Sequence, residues 1–208
     1  MKRLDSYSPQ QAARLVGASL IAMFILAIIT QFLIFTDIIV VGDAAQTISN
    51  IKASGSIFWV GVLGFLVIYA LDVVVSIGLY ALFKSTNNDQ AILSTALRLI
   101  YTGIVFVGLI ALAMYYPGVY DFAQLIGYVF FIGHLFVLGY LAFNSGFIPK
   151  WLGVLLMIGS ISYVILTYGE YFIPHAIYDP LFMVAMIPAT FGELFFAIWL
   201  LLRANKIP

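Results

Sequence analysis

The sequence predicts an all-α integral membrane protein, a helical bundle with six transmembrane helices, and three observations support this class. Of the 208 residues, 64% are apolar and only 9% are charged, and the mean hydropathy is +1.12. Soluble domains carry roughly 45–50% apolar and about 25% charged residues, so this chain cannot cover a surface that faces water. Finally, apolar segments of about 20 residues, the length that crosses a hydrocarbon core, recur along the chain between short polar turns.

The predicted spans belong to a single transmembrane domain, residues 1–208, because no connecting loop is long enough to form a domain of its own. The spans cover residues 12–35, 56–83, 94–116, 122–143, 150–171 and 181–202. The longest connection contains a predicted amphipathic helix at residues 43–53, with Asp43 as its N-cap. One face of this helix carries Ala44, Ala45, Ile48 and Ile51. Two interpretations of it remain open: a connector lying on the outer surface, or a lid over a cavity.

The positions of Lys and Arg predict the orientation in the cell membrane. One side of the predicted topology holds Lys2, Arg3, Arg14, Lys84, Lys150, Arg203 and Lys206. The opposite loops hold Lys52 together with Asp37, Asp43, Asp121 and Asp179. Because cytoplasmic loops carry the excess of Lys and Arg, we expect a multi-pass protein with both termini in the cytoplasm.

The ends of the spans predict three repeated helical hairpins. The first, third and fifth spans open with similar segments, RLVG at 14–17, RLIY at 98–101 and KWLG at 150–153. The second, fourth and sixth close with GLYALFK at 78–84, GYLAFN at 139–144 and IWLLLR at 198–203. This alignment places Arg98 at the membrane boundary, where its long side chain would reach the headgroup region.

Each closing helix carries one ionisable residue near its centre: Asp72, His134 and Glu193. At about 1.5 Å per residue, each lies roughly 15–18 Å from the end of its span. That depth is close to the middle of a hydrocarbon core about 30 Å thick. An ionisable group there costs roughly 2.5–3.5 kcal/mol and is a candidate functional residue. Burial favours the neutral form of each group unless the groups pair with one another.

Helical spacing predicts that these residues face one central cavity, since polar faces of spanning helices point into the bundle. Tyr69 and Ser76 share the face of Asp72, and Thr190 shares that of Glu193. Pro188 cannot bond the carbonyl four residues earlier, and a kink there would open space beside Glu193. The candidate cavity, substrate or proton-site residues are Asp72, His134, Glu193, Tyr69, Ser76, Arg98, Thr190 and, nearer the outer mouth, Glu170.

The chain resembles the family known as domain of unknown function 4386, small six-helix membrane proteins of prokaryotes. The most specific stretch is GHLFVLGYLAFNSGFIPKWLGVLL at residues 133–156. Shorter matches are Gly42-Asp43-Ala44, Asp72, Leu97-Arg98, Gly192-Glu193-Leu194 and Trp199-Leu200-Leu201. The resemblance covers nearly the whole chain and implies the six-helix topology, but it implies no activity.

Three functional hypotheses follow from the buried polar residues. The first is a carrier of a small solute, proton-coupled through mid-membrane carboxylates. The second is a non-catalytic membrane partner, lipid-binding protein or sensor, with the bilayer and a lipid or small molecule as its partners. The third is an intramembrane lipid enzyme with Asp72, His134 and Glu193 as metal ligands.

Other functional classes are excluded by composition and motifs. The net charge is zero and no Lys/Arg cluster occurs, which argues against nucleic acid as a partner. The chain has no cysteine, so disulfides and thiolate metal sites are excluded. No P-loop or dinucleotide fingerprint is present, and we predict no cofactor. The oligomeric state is left open.

Overall fold

A computed structural model describes residues 8–207. Within that range the chain forms a bundle of six helices that are long and apolar enough to cross a membrane, and a short helix between the first two. This confirms the predicted fold class. The helices are α1 (Pro9–Ala27), α2 (Ala44–Ser54), α3 (Ser56–Phe83), α4 (Asn88–Ala113), α5 (Pro117–Asn144), α6 (Lys150–Phe172) and α7 (His175–Arg203).

Local sequence signals determine where these helices begin. The side chains of Ser8, Asp43 and Asn87 each accept a hydrogen bond from the backbone N–H three residues later, the standard N-cap. Pro117 is the first residue of α5, and its missing N–H costs nothing there because the first turn has no intrahelical acceptor for it. Because α4 begins at Asn87–Asn88, it starts well before the predicted span at residue 94, and Arg98 lies almost three turns inside it.

The six long helices form a closed ring in the order α1, α3, α4, α5, α6, α7, with α7 returning to pack on α1. Close backbone approaches hold neighbours together. A Cβ atom on Gly153 of α6 would lie 2.6 Å from the carbonyl oxygen of Gly139 on α5. A Cβ on Gly17 of α1 would lie 2.8 Å from the carbonyl oxygen of Ala197 on α7. Since small residues let spanning helices approach closely, these glycines close the ring.

The two ends of the ring differ, and we name them by what they carry. The terminal end holds the first residues of α1 and the last of α7, joined by a hydrogen bond from the Gln10 side chain to the Ile207 carbonyl oxygen at 2.7 Å. The α2 end holds helix α2. At the terminal end, one buried apolar core includes residues from all six long helices, among them Leu79, Leu138 and Leu200.

At the α2 end the apolar core is incomplete. Its buried members, such as Phe35, Phe58 and Leu109, come from the first spanning helix, α2, α3, the last part of α4 and the start of α5. Among the residues described, neither α6 nor α7 contributes to this second core. The apolar core therefore includes all six long helices in the terminal half of the bundle. In the other half α6 and α7 do not contribute to it, and space remains inside.

Beyond Ala27, the first spanning helix continues as a π-helix over Ile28–Phe35 and one more turn, Thr36–Ile38. The Thr36 hydroxyl donates to the Gln31 carbonyl oxygen five residues earlier at 2.8 Å, within this wider winding. π-Helical turns are rare and occur frequently at functional sites. The apolar sequence of this segment predicts the span but not this winding.

Helix α2 buries only part of the predicted apolar face. Ile51 is buried and Ile48 is half-buried, together with Thr47, whereas Ala44 and Ala45 are exposed. The Thr47 hydroxyl accounts for this difference, because it donates to the carbonyl oxygen of Val40 and accepts from its N–H. No residue of α2 is among those that line the cavity of the candidate site.

Candidate functional site

Arg98 is the centre of a buried ion-pair cluster that spans the ring. Its Nε and Nη2 both lie 2.7 Å from Asp72 Oδ1 on the neighbouring helix α3. Its Nη1 donates to Glu193 Oε1 at 2.7 Å. Helix α7, which carries Glu193, lies opposite α4 in the ring. The guanidinium therefore ties two helices that do not neighbour each other across the bundle interior.

His134 on α5 is the fourth member of the cluster. Its hydrogen-bond partners show which of its ring nitrogens carries the proton. Arg98 Nη1 lies 3.0 Å from His134 Nε2, and because a guanidinium can only donate, Nε2 must accept. The other ring nitrogen, Nδ1, lies 2.9 Å from the Ser94 carbonyl oxygen and 3.0 Å from its hydroxyl. A carbonyl oxygen can only accept, so Nδ1 carries the proton. We assign His134 as the neutral imidazole, held between two positions of α4.

The two carboxylates have different surroundings. The Asp72 side chain is 3% exposed, and both of its oxygens are bonded, Oδ1 to Arg98 and Oδ2 to the Thr102 hydroxyl. The Glu193 side chain is 20% exposed, and its described hydrogen bond uses Oε1 alone. Asp72 is thus fully enclosed, whereas Glu193 has one oxygen left for another partner.

A cavity of about 370 Å³ lies against this cluster on the side of the α2 end. Its floor contains Asp72, Arg98 and Glu193, the charged residues among those that line it. Above them lie packed aromatic rings, with Tyr101 and Phe131 centroids 4.9 Å apart and those of Phe131 and Tyr163 5.1 Å apart. The volume lies within the range of small-molecule sites, roughly 300–1,000 Å³.

The first and last spanning helices continue the cavity wall toward the surface of the bundle. These two helices supply most of the remaining wall, including Phe24, Ala27 and Phe32 from the first, and Ala189 and Thr190 from α7. Phe32 lies in the π-helical segment and is 59% exposed. The exposed part of the cavity lining is thus on the side of the bundle, within the length of the first spanning helix.

Comparisons with known proteins place the chain in a family. Two stretches, residues 15–117 and 111–204, match the family described as Domain of unknown function (DUF4386). The protein belongs to this family. Together the two stretches cover the six spanning helices almost completely, and they contain every residue of the ion-pair cluster.

A relative of this DUF4386 protein is an uncharacterised protein of the archaeon Archaeoglobus fulgidus. The two are 33% identical over 149 residues, which cover 70% of this chain and 85% of the relative. No solved structure matches the chain.

The position of Arg98 corrects the sequence analysis of the DUF4386 protein. The hairpin alignment places this residue at the membrane boundary, beside Arg14 and Lys150. Those two residues are exposed, but the Arg98 side chain is 1% exposed. Two carboxylates compensate its charge inside the bundle, so it does not need to reach water. The threefold hairpin repeat stays a prediction, and Arg98 does not occupy the boundary position it assigns.

The remaining predicted site residues divide into two groups. Tyr69 and Thr190 line the cavity. Ser76 is buried but donates its hydroxyl to the Asp72 backbone carbonyl at 2.8 Å, so it contacts the cluster only through the main chain. Glu170 is exposed and is not among the residues that line the cavity, so its place near the outer mouth stays a prediction. It lies at the far end of α6, beyond the wall residue Leu166.

The proposed metal ligands do not form a metal site. Asp72, His134 and Glu193 all direct a ligating atom at Arg98, so a guanidinium cation occupies the position that a metal ion would need. Within residues 8–207, no group of three His, Asp or Glu side chains is arranged to hold a metal. The two carboxylates also pair with Arg98 and not with each other, which corrects the expected source of charge compensation.

Sequence reasoning missed Ser94 and Thr102, which hold His134 and Asp72 in place. The signal was present, because Ser94, Arg98 and Thr102 recur every four residues. Residues four apart share a helix face. This polar stripe on α4 places Arg98 toward the bundle interior, and it outweighs the similarity to Arg14 and Lys150.

Proposed function

We propose that this protein binds a small amphipathic molecule inside the membrane. The observation that carries the proposal is the cavity itself, which combines an apolar and aromatic wall with a charged floor of Asp72, Arg98 and Glu193. Ligand sites are mainly apolar, with a few polar groups that set orientation. The exposed lining beside Phe32 lies within the length of a spanning helix, so the ligand enters from the lipid phase with its polar end toward Glu193.

Filling the cavity tests this proposal. Ala27→Phe places a ring inside the cavity, whereas Ile28→Phe at the next position adds a ring on the exposed side of the same helix. We expect a small molecule to copurify with the wild type and with Ile28→Phe, and to be reduced at least about tenfold in Ala27→Phe, equivalent to about 1.4 kcal/mol. Solvent extraction and mass spectrometry of the purified proteins measure this.

The result that contradicts binding is equally clear. Equal extracted amounts in Ala27→Phe and Ile28→Phe, with both proteins folded, would mean that the copurified molecules sit on the outer surface and not in the cavity.

Carriage of the same ligand across the membrane is the second candidate function. It is favoured by two irregular segments in the first and last spanning helices, the π-helix and Pro188 inside α7. A carrier must also open the core around Leu79, Leu138 and Leu200, which closes the terminal half. Loss of the extracted molecule from loaded proteoliposomes, compared with protein-free vesicles, separates carriage from binding alone.

We also propose that the terminal end faces the cytoplasm, because the described basic residues outside the bundle lie there except Lys52. The chain has no natural cysteine, so Gln46→Cys on α2 and Ser85→Cys in the α3–α4 turn each introduce one label site. In intact cells we expect a membrane-impermeant maleimide to label Gln46→Cys at once and Ser85→Cys only after permeabilisation. The reverse pattern would contradict the orientation.

A further inference from the structure

We propose that the ligand of the cavity is a lipophilic cation, an amine or quaternary ammonium group carried on an apolar body. This inference rests on the proposed function, since it names the chemical class that the same cavity binds. Three properties of the described residues support it: the charge of the floor, the state of Arg98 and the aromatic wall.

The floor carries an excess of negative charge when its carboxylates are ionised. Two carboxylates, Asp72 and Glu193, face one guanidinium, Arg98. His134 adds no charge, because its Nε2 accepts from Arg98 and it is therefore neutral. The sum is one negative charge in a region of low dielectric constant, where an uncompensated charge is costly. A monovalent cation in the cavity would balance it.

The hydrogen bonds place that negative charge at Glu193. Both oxygens of Asp72 are bonded within the cluster, whereas Glu193 uses Oε1 for Arg98. Glu193 also lines the cavity and is the most exposed of the charged side chains on its floor. A cationic head at the floor therefore meets the second oxygen of Glu193.

Arg98 is not a free partner for an anion, although it also lines the cavity. Four of its five N–H groups have described acceptors: Nε and one N–H of Nη2 contact Asp72, and Nη1 contacts Glu193 and His134. The fifth N–H belongs to Nη2, which already contacts the Asp72 carboxylate. Among the described lining residues no second basic side chain is present. An anionic head would thus face Glu193 without a free cation to hold it.

The aromatic side chains in the wall of the cavity also favour a cation. Seven of its twenty lining residues are aromatic, and the face of an aromatic ring attracts a cation, most of all an organic ammonium. The cluster already uses this interaction, since the Arg98 guanidinium lies 5.6 Å from the Phe131 ring centroid. Tyr101, Tyr128 and Tyr163 surround the same space.

Three probes of matched shape test the inference: octyltrimethylammonium, octyldimethylamine N-oxide without net charge, and anionic octyl sulfate. Saturable binding to the protein in phosphatidylcholine nanodiscs is measured by calorimetry against empty nanodiscs. We expect the ammonium probe to bind at least about tenfold more tightly than the other two, equivalent to about 1.4 kcal/mol. Ala27→Phe should abolish saturable binding.

Glu193→Gln is the decisive variant, since its amide oxygen still accepts from Arg98 while the charge is lost. It should remove the preference for the ammonium probe, and Glu170→Gln, outside the cavity, should keep it. Equal affinity of all three probes, blocked by Ala27→Phe, would overturn the cation inference and leave amphiphile binding intact. Absence of saturable binding by every probe would overturn both. If Glu193→Gln does not fold, the order of the three affinities in the wild type still decides.

Discussion

Arg98→Met is expected to lower the free energy of unfolding by about 3–5 kcal/mol, the usual cost of removing one partner of a buried ion pair. Methionine fills similar space but leaves Asp72 and Glu193 without a cation inside the bundle. It also leaves His134 Nε2 without its donor. Unfolding of the purified protein by sodium dodecyl sulfate, followed by circular dichroism, measures the change.

Two further variants test whether unpaired charge causes this loss of stability: a surface control and a variant that lacks all three charges. Arg203→Met removes an exposed basic residue at the end of α7, and such surface changes stay within about 0.5 kcal/mol. Combining Arg98→Met with Asp72→Asn and Glu193→Gln removes all three charges and should recover most of the lost stability. If the triple variant is no more stable than Arg98→Met alone, unpaired charge is not the cause of the loss.

Asp72→Leu is expected to be the second most damaging change, by roughly 2–4 kcal/mol because it leaves buried donors of Arg98 and Thr102 without their acceptor, and clearly worse than Glu193→Leu. Both variants leave the cluster with the same net charge, so a comparison isolates burial and hydrogen bonding. Asp72 accepts from Arg98 Nε and Nη2 and from Thr102, and it is almost fully enclosed. Glu193 accepts one bond from Arg98 beside the cavity, where water or ligand can replace it.

The same detergent titration measures this difference, with Ile187→Leu on the exposed face of α7 as a control for the handling of the variants. A loss of stability in Glu193→Leu as large as that in Asp72→Leu would contradict the proposed division of roles. In that division Asp72 fixes Arg98 structurally, and Glu193 is the carboxylate available to a ligand.

This division of roles explains why the positions of the buried ionisable residues along the sequence do not by themselves identify the binding residue. Asp72, His134 and Glu193 are predicted as a shared titratable centre. Arg98 is predicted as a candidate cavity residue, but the hairpin alignment places it at the membrane boundary. In the structure Arg98 contacts all three, and it converts two of them into structural partners. Only Glu193 retains the partial exposure that a binding or proton-accepting residue requires.

Composition and spacing alone determined the membrane class, the six helices and the depth of Asp72, His134 and Glu193. These features are local, since the number of apolar residues and the rise per residue do not depend on neighbouring helices. The N-cap at Asn87 and the proline at the first position of α5, Pro117, are local in the same sense.

The tertiary structure alone decided the partner of each charge and the position of the cavity. Whether Arg98 faces lipid, water or the interior depends on which helix lies opposite α4, and the ring places α7 with Glu193 there. The cavity likewise arises because α6 and α7 contribute to the apolar core at the terminal end and leave it at the α2 end. Apolar helices of similar composition pack in many ways, so contacts between distant parts of the chain determine this arrangement, and no segment encodes it by itself.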